Sequence, residues 1–262
     1  MPPFSVLPIA GPEEVEAFLR RLPLAVDRAR FSELVLGFPR RYLETTPGVE
    51  VVRHFALMNS LGARPLVSSL AREQDAWRIC VVARDRRFLF ARLAGSLSCF
   101  GINIVSAEAF ANRNSLVLDT FTCVDADGHL ESPEQRRQFQ AFLEDAVSGS
   151  VDLEQQLRRR LPKVEQEPAA LELEWDDEAH PSFTRLRVAG GDRLGLLYRM
   201  SQAFSEAGCN IELAYIETPG GAVSDTFFLS RDGARLAEAD ERAIEARLAA
   251  LGPGAAGRVL ES

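Results

Sequence analysis

At 262 residues, with 46% apolar and 26% charged residues, the chain is long enough for two small cores and ordinary in composition for a globular protein. Its net charge of −8 argues against a broad surface for nucleic acid or anionic membrane. No apolar run approaches the roughly 20 residues that span a bilayer, and Met1 to Ala10 lacks the basic start of a signal peptide.

In chain order, Pro12 with Glu13 and Glu14 opens a helix with Val15, Phe18, Leu19 and Leu22 on one face, ended by Pro23. Asp27 caps a second helix carrying Phe31, Leu34 and Val35, closed by Gly37 and Pro39. A third apolar pattern, Val51, Val52, Phe55 and Met58, precedes Gly62, so residues 1–72 read as a helical lead-in. Residues 73–162 begin with a strand around Trp77 to Ala83, followed by a helix from Phe88 stopped by Gly101. Strands at Ile102–Ala111 and Ser115–Val124 meet at an Asn112-Arg113-Asn114 turn. Ser132-Pro133-Glu134-Gln135 has the form of a capping box before a helix, and a polar helix covers about Leu153 to Leu161. Residues 163–182 read as a linker and a connecting strand, Leu171, Leu173 and Trp175 alternating with acids. Residues 183–262 repeat the order: strand Phe183–Ala189, helix Leu194–Glu206, strands Cys209–Thr218 and Ala222–Ser230, helix Glu238–Ala250 and a short Arg258–Leu260 strand.

The repeat is visible residue by residue. Asp85-Arg86, Leu89, Arg92, Ser98, Gly101-x-Asn103-Ile104 and Asp119-Thr120-Phe121 return as Asp192-Arg193, Leu196, Arg199, Ser205, Gly208-x-Asn210-Ile211 and Asp225-Thr226-Phe227. Two copies are a tandem rather than a solenoid. Strand-helix-strand-strand-helix-strand is the ferredoxin-like order, so the fold class is α+β, two βαββαβ domains behind a helical region. Cys80, Cys99, Cys123 and Cys209 lie far apart on apolar stretches, reading as buried thiols of a reducing, cytoplasmic compartment rather than metal ligands.

These motifs resemble the ACT domain, a small regulatory module that binds amino acids. More narrowly, Asp119-Thr120-Phe121 with Asp125 to Gly128, the closing Asp225-Thr226-Phe227 and the stretch Asp152-Leu153 to Arg160 resemble the paired ACT domains that end bacterial protein-PII uridylyltransferases. Phe38 to Leu43 with His54 resembles the helical segment before them. The resemblance spans about residues 35–251. It implies a regulatory protein without catalytic domains, sensing a small amino acid, glutamine by analogy. It also implies a PII-type signalling protein or an enzyme as partner, and pairing of modules within the chain or in a homodimer. The residues themselves agree: His54, His129 and His180 are isolated, and the single lysine, Lys163, follows Pro162 rather than ending a phosphate loop. No metal and no cofactor is expected.

The expected ligand site is the turn feeding the second repeat's helix: Asp192, Arg193, Leu194, Gly195, Leu196, with Asn210 and Ile211. A helix N-terminus suits a carboxylate, Asp192 an ammonium, and Gly195 leaves room for close approach. In the first copy Asp85, Phe88 and Asn103 form a weaker site, because Phe88 stands where Gly195 would be. Asp85 reads first as a helix cap, and Asn103 and Asn210 also suit helix termini. Asp192, Gly195 and Asn210 fit a site and plain turn chemistry equally, until the resemblance favours the site. Two alternatives are a ligand-free ACT-pair scaffold and a regulatory fragment of a longer enzyme.

Overall fold

The computed structural model describes residues 12–21, 26–160, 171–191, 195–217 and 222–251. Four helices come first: α1 (Pro12–Arg21), α2 (Arg28–Val35), α3 (Arg40–Thr45) and α4 (Gly48–Asn59). The first repeat then runs β1 (Leu66–Glu73), β2 (Ala76–Arg84), α5 (Leu89–Cys99), β3 (Asn103–Ala111), β4 (Leu116–Val124), α6 (Pro133–Ser148) and α7 (Leu153–Arg160). The second runs β5 (Glu172–Asp176), β6 (Thr184–Gly191), α8 (Leu196–Glu206), β7 (Asn210–Tyr215), β8 (Ala222–Ser230) and α9 (Glu238–Ala249).

The strong local signals behave as the sequence predicts. Asp27 caps α2 by accepting the Arg30 N–H at 3.0 Å. The capping box of α6 forms reciprocally: the Ser132 hydroxyl accepts the Gln135 N–H at 3.1 Å, and Gln135 Oε1 accepts the Ser132 N–H at 2.9 Å. All four cysteines are free and buried. Among the described residues no helix is long and apolar enough to cross a membrane.

The edge strands depart from expectation. The two sheets have orders β1-β2-β4-β3 and β5-β6-β8-β7. Each repeat therefore starts with its edge strand, a ββαββα order, rather than ending with one as βαββαβ requires. β1 lies mostly inside the region predicted to be helical lead-in, and turns into β2 through Gln74, which takes φ +52°. β5 is the strand expected from Leu171, Leu173 and Trp175; it does not merely connect the repeats but joins the second sheet, paired antiparallel to β6 from Glu172↔Ala189 to Asp176↔Arg185. An edge strand buries little, and only Leu66 and Val67 of β1 are buried, so no alternation marks it in sequence. The predicted Arg258–Leu260 strand lies outside the described residues.

The chain forms two compact units. The first takes residues 1–70, 79–85 and 110–120. Its helices cluster through Phe18, Phe31 and Phe55, with ring centroids 5.9 and 4.9 Å apart along that chain. Tyr42 meets Phe110 edge-on at 5.5 Å. A buried polar chain crosses this core: Tyr42 Oη lies 3.0 Å from His54 Nδ1, and His54 Nε2 lies 3.7 Å from Cys80 Sγ. Asn112, buried in the β3–β4 turn, donates to the Leu34 carbonyl at 3.1 Å and accepts the Asn114 and Leu116 N–H groups. That amide ties the hairpin to the end of α2, together with the Arg113 N–H donating to the Gly37 carbonyl at 3.1 Å and the Asn114 amide donating to the Glu33 carbonyl at 3.4 Å.

The second unit takes residues 71–78, 86–109 and 121–262. The inner face of its complete sheet, β5 to β8, packs Leu186, Val188, Phe227 and Leu229 against α8, with Phe204 and Phe227 rings 4.9 Å apart. Trp175 donates its indole N–H to Glu245 of α9 at 2.8 Å. In the same unit α5 packs on α6, α7 and α8.

Candidate functional site

The two repeats meet where α5 crosses α8. The contacting face of α5 is small, Ala91, Gly95 and Cys99 at one-turn intervals, and Tyr198 of α8 packs against it in a cluster with Ala146, Leu153 and Leu157. A Cβ on Gly95 would stand 2.8 Å from Tyr198 Cδ2 and 3.2 Å from Leu153 Cδ1. Glycine is therefore required by the tyrosine ring, not by the helix.

The helix starts on either side share one backbone geometry. Phe88 (φ +66°, ψ +10°) caps α5 and Gly195 (φ +78°, ψ +8°) caps α8, both left-handed. The pattern position is thus a glycine position by conformation, and Phe88 adopts it against the steric preference of a bulky residue. A Cβ on Gly195 would meet Leu157 at an ordinary 3.6 Å, so Gly195→Ala tests the backbone alone. It is expected to lower the unfolding free energy by about 1–2 kcal/mol in chemical denaturation. Phe88→Gly, which loses ring contacts including the Arg87 guanidinium 4.8 Å from the ring centroid, should move stability far less.

Beside Phe88 a cavity of about 340 Å³ opens along the seam. Phe88 and Arg92 line it from α5, Asp152 and Glu154 from the segment entering α7, and Tyr198 and Gln202 from α8. Tyr198 Oη accepts from the Gln202 amide at 2.8 Å, and burial, reinforced by the Glu154 carboxylate, pushes its phenol up to about 12. Arg92 is fixed by donating to the Ala146 carbonyl at 2.7 Å, while Glu154 is held by Arg158 and Arg199 at 3.3 and 3.4 Å. The walls thus combine an aromatic plate, an amide, a phenol that stays protonated, and charges of both signs.

The predicted site residues are distributed unevenly around this seam. Asp192, Arg193 and Leu194 lie outside the described residues. Gly195 sits beside Leu157, Leu196 is buried behind it, and Ile211 is half-buried. Asn210 and Asn103 are exposed at the first positions of β7 and β3. Asp85 is exposed, its N–H donating to the Ser115 carbonyl at 2.8 Å. Glu212 accepts the Ser230 hydroxyl at 2.5 Å. Among the described residues, Phe88 is the predicted site residue that walls this cavity. Arg92 and Asp152 belong to the repeat and the resemblance but not to the predicted site, and sequence reasoning does not reach Tyr198 and Gln202. The repeat register held a usable signal: Ala91, Gly95 and Cys99 align with Tyr198, Gln202 and Glu206, small against large at helical spacing.

The repeated Asp-Thr-Phe also diverges. Asp225 is buried, and its carboxylate accepts the Glu217 N–H at 3.2 Å. Asp119, at the same place in the first repeat, is equally buried, and neither carboxylate oxygen has a hydrogen-bond partner. Burial, with Asp85 nearby, raises its carboxyl well above the usual range. Among the described residues no group of three or more His, Cys, Asp or Glu side chains is placed to hold a metal.

Fold and seam together define a class: a tandem of α+β repeats, each a four-stranded sheet, joined helix to helix around a small polar cavity. Within that class the chain is similar to bifunctional uridylyltransferase/uridylyl-removing enzymes. It is 30% identical to that of Ruegeria pomeroyi over 183 residues, 67% of this chain and 20% of the relative. The enzyme of Rhodospirillum rubrum is 27% identical over 226 residues, 83% of this chain and 24% of the relative. That of Novosphingobium aromaticivorans is 32% identical over 182 residues, 67% of this chain and 20% of the relative. The chain therefore spans about a fifth to a quarter of the length of the curated relatives it matches. No protein-family model matches it.

Proposed function

We propose that this chain is a non-catalytic regulatory module of the ACT type, corresponding to a regulatory part of its uridylyltransferase relatives. In this reading it senses a small amino acid, glutamine by analogy, and passes the signal to a PII-type protein or to a separate enzyme. The observation that carries the reading is the seam: beside the left-handed cap Phe88 opens a cavity of about 340 Å³, large enough for one amino acid. The cavity and the Gly195 turn are the two candidate seats. A non-catalytic role fits the histidines, each engaged structurally: His54 beside Tyr42, His129 3.7 Å from Asp127, and His180 stacked on Phe183 at 4.4 Å. Any effect on a partner is limited by how differently the ligand binds the two states it selects between.

Thermal unfolding against the twenty amino acids tests this, with each variant compared with its own unliganded baseline. A ligand at 100 times its dissociation constant stabilises by about 2.7 kcal/mol, a rise of roughly 5 °C for a chain of this size. Loss of the shift in Gln202→Ala places the ligand in the cavity, and loss in Gly195→Phe places it at the turn. A flat response to every amino acid removes the sensor. It leaves the ligand-free scaffold, a reading favoured by Leu157 standing against Gly195.

A further inference from the structure

The second sheet has a face that the first does not offer. Leu186, Val188 and Phe227 point toward α8, so by strand alternation Arg185, Arg187, Ala189, Ser224 and Thr226 point the other way. The register lays Glu174, Arg187, Thr226 and Tyr215 side by side across all four strands. Ala189 and Ser224 stand in the next row, and a hollow of about 340 Å³ opens on this face with Ser224 in its lining. Arg185 and Arg187 line it on β6, the hydroxyls of Ser224 and Thr226 line it on β8, and Glu217 lines it beyond Tyr215 at the end of β7.

The repeat shows that this polarity is not a default of the fold. Arg187, Ala189, Glu217 and Ser224 align with Cys80, Val82, Phe110 and Leu118 of the first copy, all buried. There the same face packs under the lead-in helices, with Phe110 against Tyr42 and Cys80 against His54. In the second copy that set has become cation, methyl, anion and hydroxyl. Such a face no longer suits an apolar helix, and it does carry donors in want of acceptors. Arg185 is anchored through Nη2 to Asp176 at 2.6 Å, and its side chain remains partly exposed to the hollow. Arg187 Nη1 is 3.9 Å from Glu174, too far for a hydrogen bond.

We propose that this hollow is a second small-molecule site, separate from the helix seam, that takes a zwitterion: a free α-amino acid. The Arg187 guanidinium, with the exposed part of the Arg185 guanidinium beside it, receives its carboxylate, which gives Arg187 a charge-assisted partner. Glu217, across β8, receives the ammonium. The Ser224 and Thr226 hydroxyls between them accept or donate as the ligand requires. The mixed charge selects against a simple anion, because Glu174 and Glu217 repel it, and against a simple amine, because the arginines do.

Backbone amide NMR of the full chain decides the matter, with L-glutamine and L-alanine as probes and acetate and ethylammonium as single-charge controls. The expected result is saturable shifts at Ser224 and Thr226 with the amino acids and at least 10-fold weaker ones with either control. These shifts should vanish in Arg187→Ala, a largely exposed position whose change leaves the fold intact, and persist in Gln202→Ala and Gly195→Phe. No shifts at β8, equal shifts with acetate, or shifts untouched by Arg187→Ala each overturn the proposal. Loss of the seam response alone leaves it standing.

Discussion

Replacing Gly95 by valine is expected to lower the unfolding free energy by about 3 kcal/mol, at the upper end for overpacking a buried site. The reason is position rather than propensity. Within α5 the substitution should raise helix propensity slightly, since valine, although β-branched, costs less in a helix interior than glycine. That gain is outweighed because even a Cβ would stand 2.8 Å from the Tyr198 ring, with Leu153 at 3.2 Å closing the other side. Urea denaturation of Gly95→Val, Tyr198→Ala and the double variant separates the effects. The double variant should be markedly less destabilised than the sum of the singles, a coupling expected only of residues in contact. Additive losses would mean that α5 and α8 do not pack through this pair.

Converting Asp119 to asparagine is expected to stabilise the protein at neutral pH and to flatten its stability profile. Asp119 is 1% exposed with neither oxygen hydrogen-bonded, so burial favours its protonated form and lifts its carboxyl well above the ordinary 3.8. The folded state then holds a proton that the unfolded chain releases. Its contribution is complete below 3.8 and is lost as pH climbs toward the folded value. Each pH unit in that window costs the wild type about 1.4 kcal/mol relative to the asparagine variant. Denaturation of both proteins at pH 5 and pH 7 reads the difference directly. Asp225→Asn, made at the partnered counterpart, should show no such gain. A constant gap between wild type and Asp119→Asn across pH would show that the carboxyl titrates alike in both states.

Much of the fold was written in local signals. α6 begins at its capping box, β8 spans Ala222–Ser230 as its alternation indicates, and α8 and α5 stop at glycines with positive φ, Gly208 and Gly101. These features depend on neighbours within a few residues. β1 could not be read the same way: past Leu66 and Val67 it is largely exposed and runs Ser-Ser-Leu-Ala-Arg-Glu, and only its pairing partner makes it a strand. The site divides along the same line. That Phe88 and Gly195 occupy one special position was legible from the repeat, because a backbone conformation is local. The cavity was not, because its walls come from α5, α8 and the residues around Asp152, which only the packing brings together. The hollow on the second sheet lay in between. Its residues alternate plainly along β6 and β8, but their convergence needed the register of four strands.

The unequal faces at the seam bear on how two repeats of one chain come to fit each other. Twin repeats fresh from duplication have interchangeable surfaces, so the first half of one molecule can pair equally well with the first half of another. Here the exchange is asymmetric. Two α5 faces brought together would oppose Ala91, Gly95 and Cys99 to themselves across a gap, and two α8 faces would drive Tyr198 into a surface with no glycine to receive it. Knob and socket have been assigned to different halves of one polypeptide, so each copy recognises its sibling better than itself. The cavity at such a seam has two different walls, an aromatic and amide side from α8 and a phenylalanine and arginine side from α5.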